Sequence, residues 1–515
     1  MQRADVDVLV VGAGPAGLSM ACGLRGYGVK VRVIDQARGP SRTSRANILH
    51  ARGVEVLERL GALGDLPERS LTAITLTQYL DGKPAVTLRY GDQGLGSARP
   101  AMYVSQADLE ANLRHRLAQL DVEIEWGSTL TDLDQNELGV TAVLKEAEEL
   151  RCRWLVGCDG AHSAVRKLAG IGFPGTRLTE RFLLADVHAD WQVDRTGGHG
   201  WPHAEGACYA IPMRELGQHD DLWRLMAYDP NGVDPKGEEQ ILQRFRELLP
   251  ERTGRTDIVI RDAVWASTFR VHRRLADTYR SGRVLLAGDA AHVHSPLGGQ
   301  GMVTGMGDAE NLAWKLALVV RGRATDRLLD TYQAERRPLA TEVLRGTTAA
   351  TQLQVGTGPL PRFLRRRVLI PLANAPLLQR RASMLASQLW VHYRRGPLAG
   401  GIGAWVGRRP RPGDRIPDLG CTRPDGSVTR LHAELGPRWV LLASDGGELF
   451  SALRDRLGDD LVCWLRPQHS EPGADALLVR PDAHLAWRGK TTEPTSTVRW
   501  LSRWSERSAK LSTRS

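Results

Sequence analysis

The chain runs to 515 residues, more than one hydrophobic core comfortably holds, so two or three domains are expected. Its 42% apolar and 25% charged residues are those of a globular protein, and with no apolar run long enough to span a bilayer no membrane role is expected. The formal charge of +10 rests on arginines spread along the chain, without the interleaved aromatics of a nucleic-acid surface, so no nucleic-acid partner is expected either. A polyanionic small ligand is a better reason for them. The densest cluster, Arg362, Arg365, Arg366 and Arg367 with Arg380 and Arg381, reads as a solvated helix face. Residues 1–5 lack the layout of a signal peptide, which points to the cytoplasm. The six cysteines are scattered and form no C-x-x-C pair, so neither a metal site nor a dithiol centre is expected.

In chain order, residues 5–11 predict a short buried strand, 16–27 a helix and 30–35 a second strand, a βαβ unit with parallel strands. Val54, Leu57 and Leu60 fall at helical spacing and predict a helix over 46–61; residues 106–120 predict another. Residues 154–158 read as a buried strand. From 176 to 280 the pattern changes to alternating runs such as 207–213 and 222–228, separated by Gly, Pro and Asp, which predicts an inserted mixed sheet. Residues 283–287 return to a buried strand, followed by a glycine-rich loop and a helix over 308–320. Helices are expected to continue to about residue 395. The expected organisation is a discontinuous first domain (1–175 and 281–395), a second, sheet domain (176–280), a Gly/Pro/Arg-rich linker (396–417) and a small α/β domain (418–515) with strands near 439, 461 and 476.

Gly12, Gly14 and Gly17, with Pro15 and Ala16 between them, follow the first strand directly and open the first helix. The first glycine permits the tight turn, the second lets backbone approach a pyrophosphate, and the third lets helix pack on strand. The helix N-terminus then offers N–H groups to phosphate. Asp35, followed by Gln36, ends the second strand at the spacing of a carboxylate that holds ribose hydroxyls. The unit predicts dinucleotide binding without choosing the dinucleotide. Two later motifs follow buried strands in the same way. One comprises Cys158, Asp159 and Gly160 with Ser163 and Arg166; the other comprises Gly288, Asp289 and His292 with Pro296, Gly298, Gly299, Gly301 and Met302. Asp289 ends a buried strand, so its carboxylate projects at the sheet edge where open α/β sheets bind ligands.

In this order the three motifs resemble those of the single-component (class A) flavoprotein aromatic hydroxylases, the group typified by para-hydroxybenzoate hydroxylase. Within it the chain looks most like the phenol-hydroxylase-like and polyketide-tailoring branch, and the likeness covers most of its length. The resemblance implies an α/β fold with a Rossmann-like FAD-binding domain, an inserted mixed β-sheet substrate domain and a C-terminal thioredoxin-like domain lacking C-x-x-C. It implies bound FAD, NADPH or NADH as transient co-substrate, and O₂. One oxygen atom would pass through a flavin C4a-hydroperoxide to an aromatic, polycyclic polyketide-type small molecule. Baeyer–Villiger insertion or epoxidation by the same peroxide is the alternative.

The resemblance also assigns residues. Asp289 would accept from ribityl hydroxyls, and the 296–302 loop would lie against the flavin with Pro296 near its reacting face. Asp159 and Arg166 match a motif shared between FAD and nicotinamide binding. Arg45 and Gln106, which alone read as solvated surface groups, fall at cofactor positions, and Arg52 falls at another recurrent arginine position near the flavin. After Met302 most relatives carry Asn where this chain has Val303, which removes a side-chain amide. Tyr209, Met213, Trp223, Met226 and Tyr228 are candidates for the substrate pocket, with core packing as the competing role. No acid or base can be named: His50, His203 and His292 read more simply as packed or solvated. The final domain is expected to be structural or to support a homodimer.

Overall fold

A computed structural model describes residues 4–41, 46–72, 74–89, 96–145, 147–203, 205–214, 221–230, 235–294, 299–355, 375–399, 410–468, 475–492 and 494–505. Arg45, Pro296, Gly298, Arg362, Arg365, Arg366 and Arg367 lie outside the described residues. Arg380 and Arg381 are exposed on the helix Pro376–Ser387, as a solvated face requires. Among the described residues no helix is long and apolar enough to cross a membrane.

The first sheet has eight strands. Val6–Val11 lies at its centre, parallel to Val31–Asp35 on one side and to Glu149–Gly157 on the other, and Val284–Leu286 is parallel to Glu149–Gly157. Val11 pairs with Ile34 and with Gly157, and Gly157 with Leu286. That register puts the ends of four strands in one row. The three turns predicted to carry chemistry, after residues 11, 157 and 286, therefore emerge side by side at the carboxyl edge of the sheet.

The second sheet also has eight strands, and its middle is the antiparallel set Val259–Leu275, Gly175–Asp190, Leu222–Tyr228, Gly206–Pro212 and Gly198–His203. It is wider than the 176–280 segment. Thr75–Leu80 joins Gly198–His203 in parallel and brings Lys83–Arg89 with it, and His292–Val293 pairs at the opposite edge.

Two local expectations differ from the structure. Residues 46–50 are not helical: Ile48–Leu49 is a strand paired with Met102–Tyr103, and the helix is Ala51–Leu60. The helix predicted from residue 308 begins at Gly301 and runs to Val320. Glycines 305 and 307 read as breakers, but here they permit close packing. A Cβ on Gly305 would lie 3.2 Å from the Gly288 Cα, and one on Gly307 would lie 3.0 Å from Arg336 Nη2. Tertiary contact outweighs their poor helix propensity.

The C-terminal sheet places Val462–Pro467, Trp439–Leu442, Ala476–Val479 and Leu485–Gly489 side by side, the first pair parallel and the others antiparallel. With helix Gly447–Leu457 as the crossover and Pro494–Ser505 after the last strand, this is thioredoxin-like topology. One face carries its own core around Leu442, Leu465 and Val479. The other packs into the core of the first sheet, where Trp439 meets Trp314 edge-on at 5.2 Å.

Candidate active site

The row of strand ends forms one wall of a cavity of about 400 Å³. Gly14, Pro15, Ala16, Cys158, Gly160, Gly288, Asp289, Gly299, Gly301 and Met302 all line it, so the cavity gathers residues from the three sequence motifs. Local geometry explains the glycines. Gly12 has φ +106°, and a Cβ there would lie 2.4 Å from the Cys158 carbonyl oxygen; one on Gly17 would lie 1.9 Å from the Gly12 carbonyl oxygen. At Gly14, by contrast, nothing lies within 4 Å of the Cβ position, so backbone is open to a ligand. No side chain caps the helix Pro15–Gly26 that follows, which leaves its N-terminal dipole facing the same space.

Asp35 stands beside this turn, accepting from the Ala13 N–H (2.7 Å) and the Ala37 N–H (2.8 Å), each on a different oxygen. Gln36 is exposed and away from the cavity. Gln106 lines the wall; its amide oxygen accepts from the Ala46 N–H and its amide nitrogen donates to Glu110. Asp159 Oδ2 accepts from the Val165 N–H (3.1 Å), while its Oδ1 is buried without a partner among the described residues. Arg166 is spent on carbonyls, donating to Ala290 and Ala161 (both 2.9 Å), and so ties the second motif to the third. Burial pushes the Cys158 thiol far up, which removes it as a nucleophile.

Two residues fall elsewhere than expected. Arg52 does not reach the cavity: its guanidinium bonds Glu55, Glu310 and the Asp482 carbonyl. Val303 faces helix Ala51–Leu60, where its Cγ2 would lie 2.9 Å from a Cβ on Gly53. It is a packing residue, and the wall is supplied instead by Gly301, Met302 and Gly305. Because the helix begins at Gly301, the donors facing the cavity there belong to a helix N-terminus rather than a loop.

The opposite wall is the inner face of the second sheet. Tyr209 pairs with Met226 and Ile211 with Arg224, and all four line the cavity with Leu184 and Phe269. Tyr209 and Met226 were among the sequence candidates; Met213, Trp223 and Tyr228 do not line it. Trp223 points to the other face of its strand, into a cluster with Trp191 and under Arg195. Tyr228 lies beyond the cavity against Phe182, and Met213 follows the strand's last residue. Sequence reading missed Arg224, though a lone charge two residues from Met226 in the run 222–228 is a usable signal. Buried Arg224 binds Asp186, whose Oδ2 also accepts from Trp265 Nε1 (2.7 Å). It also missed Asn47 and His294, both at the cavity; the Asn47 amide nitrogen is buried without a partner among the described residues. His50 and His292 are buried and do not line the cavity, and His203 ends a strand.

An uncapped helix N-terminus, backbone opened at Gly14, the Asp289 carboxylate on the wall, Asp35 beside the first turn, and polar atoms on Asp159 and Asn47 without partners among the described residues fit a dinucleotide. Comparison with known proteins gives the dinucleotide. Residues 5–347 match the family described as FAD binding domain, and residues 409–508 match the aromatic-ring hydroxylase C-terminal family. The chain is 36% identical to a 6-methylpretetramide 4-monooxygenase of Streptomyces rimosus over 95% of its own length and 92% of the relative's. Among solved structures it is similar to an anhydrotetracycline hydroxylase from Streptomyces rimosus (33% identity, TM-score 0.78, 97% of this chain and 99% of that one). An aklavinone-11 hydroxylase, solved with FAD and aklavinone, superposes with TM-score 0.79 at 26% identity, covering 98% of this chain and 99% of that one. The chain belongs to the FAD-dependent aromatic-ring hydroxylases, a family of monooxygenases.

Proposed function

We propose that the enzyme uses NAD(P)H and O₂ to hydroxylate a polycyclic aromatic small molecule of polyketide type. The observation that carries this reading is that one cavity has the nucleotide-type wall on one side and an apolar, aromatic sheet face on the other. The names of the relatives support the substrate class, since they refer to multi-ring compounds.

In this reading the helix N-terminus at Pro15 and the backbone at Gly14 hold the cofactor's pyrophosphate, and Asp35 accepts from its ribose. Gln106 and Asp289 bind its ribityl portion. The N–H groups at the start of helix Gly301–Val320 would favour negative charge on the bound cofactor. When bound, FAD would supply hydride acceptance from the reduced nicotinamide and the activation of O₂ for oxygen transfer. Tyr209, Ile211, Met226 and Phe269 clamp the flat substrate and exclude water. Arg224, held rigid by Asp186, sets a fixed positive charge beside a phenol or enol oxygen, which favours the electron-rich anion that is oxygenated.

The test is substrate-stimulated NAD(P)H oxidation by the purified yellow protein over a panel of polycyclic phenols, followed by product mass with labelled O₂. One labelled oxygen on a ring carbon is expected. Oxygen inserted beside a carbonyl would move the reaction to Baeyer–Villiger chemistry, and no oxygenated product from any ring system would remove the proposal.

A further inference from the structure

The C-terminal domain has no dithiol to work with, since Cys421 and Cys463 are separate free thiols, yet it buries an unusual amount of charge against the FAD-binding domain. Its 480–484 turn, between Ala476–Val479 and Leu485–Gly489, carries Arg480, Asp482 and His484, each no more than 1% exposed. Turns of this composition ordinarily sit in water.

Two chains of contacts leave the turn. The first anchors the domain. Arg480 grips both oxygens of Glu335 (2.7 and 2.9 Å), which also accepts from Lys315 Nζ and Asn311 Nδ2 (both 2.8 Å). The second leads to the cavity. The His484 ring lies against Tyr393, centroids 4.2 Å apart, and the Tyr393 hydroxyl accepts from Arg336 Nη1 (3.0 Å). Arg336 Nε donates to Asp308 Oδ1 (2.7 Å), and Asp308 Oδ2 accepts from the Gly288 N–H (3.1 Å) and pairs with His292 Nε2 (2.6 Å). Gly288 immediately precedes Asp289 at the cavity wall.

This second chain has the makings of a positioning device. Every side chain in it is buried, so its charged hydrogen bonds act in low dielectric and hold one geometry. Burial pushes the Asp308 carboxyl up, but Arg336 and His292 outweigh it, so Asp308 keeps its charge. Gly288 sits at φ +62°, where a Cβ would lie 2.9 Å from the Ala16 Cβ on the pyrophosphate-side helix. The peptide plane before Gly288, one residue ahead of Asp289, is thus held by Asp308, and Gly288 itself is packed against that helix.

We infer that the 480–484 turn of the C-terminal domain positions Asp289 against the cofactor, through Tyr393, Arg336 and Asp308 as positioning residues. The inference rests on the reading of Asp289 as a cofactor-binding group. The test compares four full-length variants, titrating each apoprotein with FAD by flavin fluorescence and recording the absorption band of bound flavin and the thermal midpoint. Tyr393→Phe keeps the ring on His484 but removes the hydroxyl, and is expected to raise the FAD Kd about threefold and move the flavin band. Asp308→Asn is expected to raise it about tenfold; if that variant does not fold, Tyr393→Phe decides. Glu335→Gln weakens the first chain while Asp482 still holds Arg480 over the Tyr393 ring (5.1 Å), and is expected to lower the thermal midpoint with both flavin readouts at wild-type values. Asp289→Ala, expected to lose FAD affinity, checks the underlying reading: retained affinity there removes Asp289 from the cofactor site and the inference with it. Wild-type flavin readouts in Tyr393→Phe beside a weakened Asp289→Ala overturn the inference alone, as does a change in Glu335→Gln equal to that in Tyr393→Phe.

Discussion

The two walls of the cavity are made of different material. On the cofactor side the ligand-facing surface is largely backbone: turns at 12–17, 158–160 and 288–289, and two helix N-termini. On the substrate side it is side chains, set by the register of antiparallel strands. A backbone wall tolerates no Cβ at its tightest points but is indifferent to most neighbours. A side-chain wall can change identity residue by residue while its strands stay put. In the proposed reading, one family fold therefore holds FAD in a fixed cradle and varies the ring system opposite.

Damage to the cofactor wall should have the largest effect. Gly17→Ala places a methyl 1.9 Å from the Gly12 carbonyl oxygen, and two backbone segments cannot both yield. The variant is expected to purify without flavin and to show no NAD(P)H oxidation, measured as absorbance of bound flavin per protein. Full flavin content would contradict a backbone-built wall.

Next is the substrate wall. Arg224→Met leaves Asp186 buried with only Trp265 as partner among the described residues, at a cost of about 3 kcal/mol in denaturant unfolding. Substrate KM is expected to rise about tenfold while FAD affinity stays near wild type. If FAD affinity collapsed as well, the walls would not be separable.

Acid should act on the ion pairs beneath the cofactor wall. Burial pushes the Glu335 carboxyl up, but Arg480 and Lys315 pull it further down, to about 2, from an ordinary 4.5. The unfolded chain therefore takes up this proton first as pH falls. The stabilisation is complete above pH 4.5 and is lost on descent to about 2. The wild-type thermal midpoint should fall more steeply across that window than that of Glu335→Gln, and equal slopes would assign the acid sensitivity to other carboxylates. The smallest effect belongs to Trp223→Phe. This residue faces away from the cavity, so KM should be unchanged and stability should fall by only about 1 kcal/mol.

The same contrast explains what could be read from the chain alone. The three motifs were legible because a turn that approaches a ligand with its backbone demands glycine at fixed spacing after a strand, and that demand is local. Their convergence needed only parallel strands. Tyr209 and Met226 line the cavity as alternation allows, but alternation cannot say where a strand passes out of the cavity, and Tyr228 and Met213 do not line it. Trp223 fails for a simpler reason, since it is one residue out of phase with Met226. Arg52 matched a familiar position, yet its partners Glu310 and Asp482 are 258 and 430 residues away, and no local pattern announces them. Ile48 reads as helical for a related reason, since its strand partner, Tyr103, is also far from it in the sequence.

A crystal structure of the enzyme with FAD and a polycyclic phenol would test the division of the cavity most directly. The flavin ring is expected beside Asp289 and Met302, with the phenol between it and the Tyr209–Met226 pair and an oxygen near Arg224. A flavin ring seated away from the 288–302 turns, or a substrate bound outside the sheet face, would contradict it.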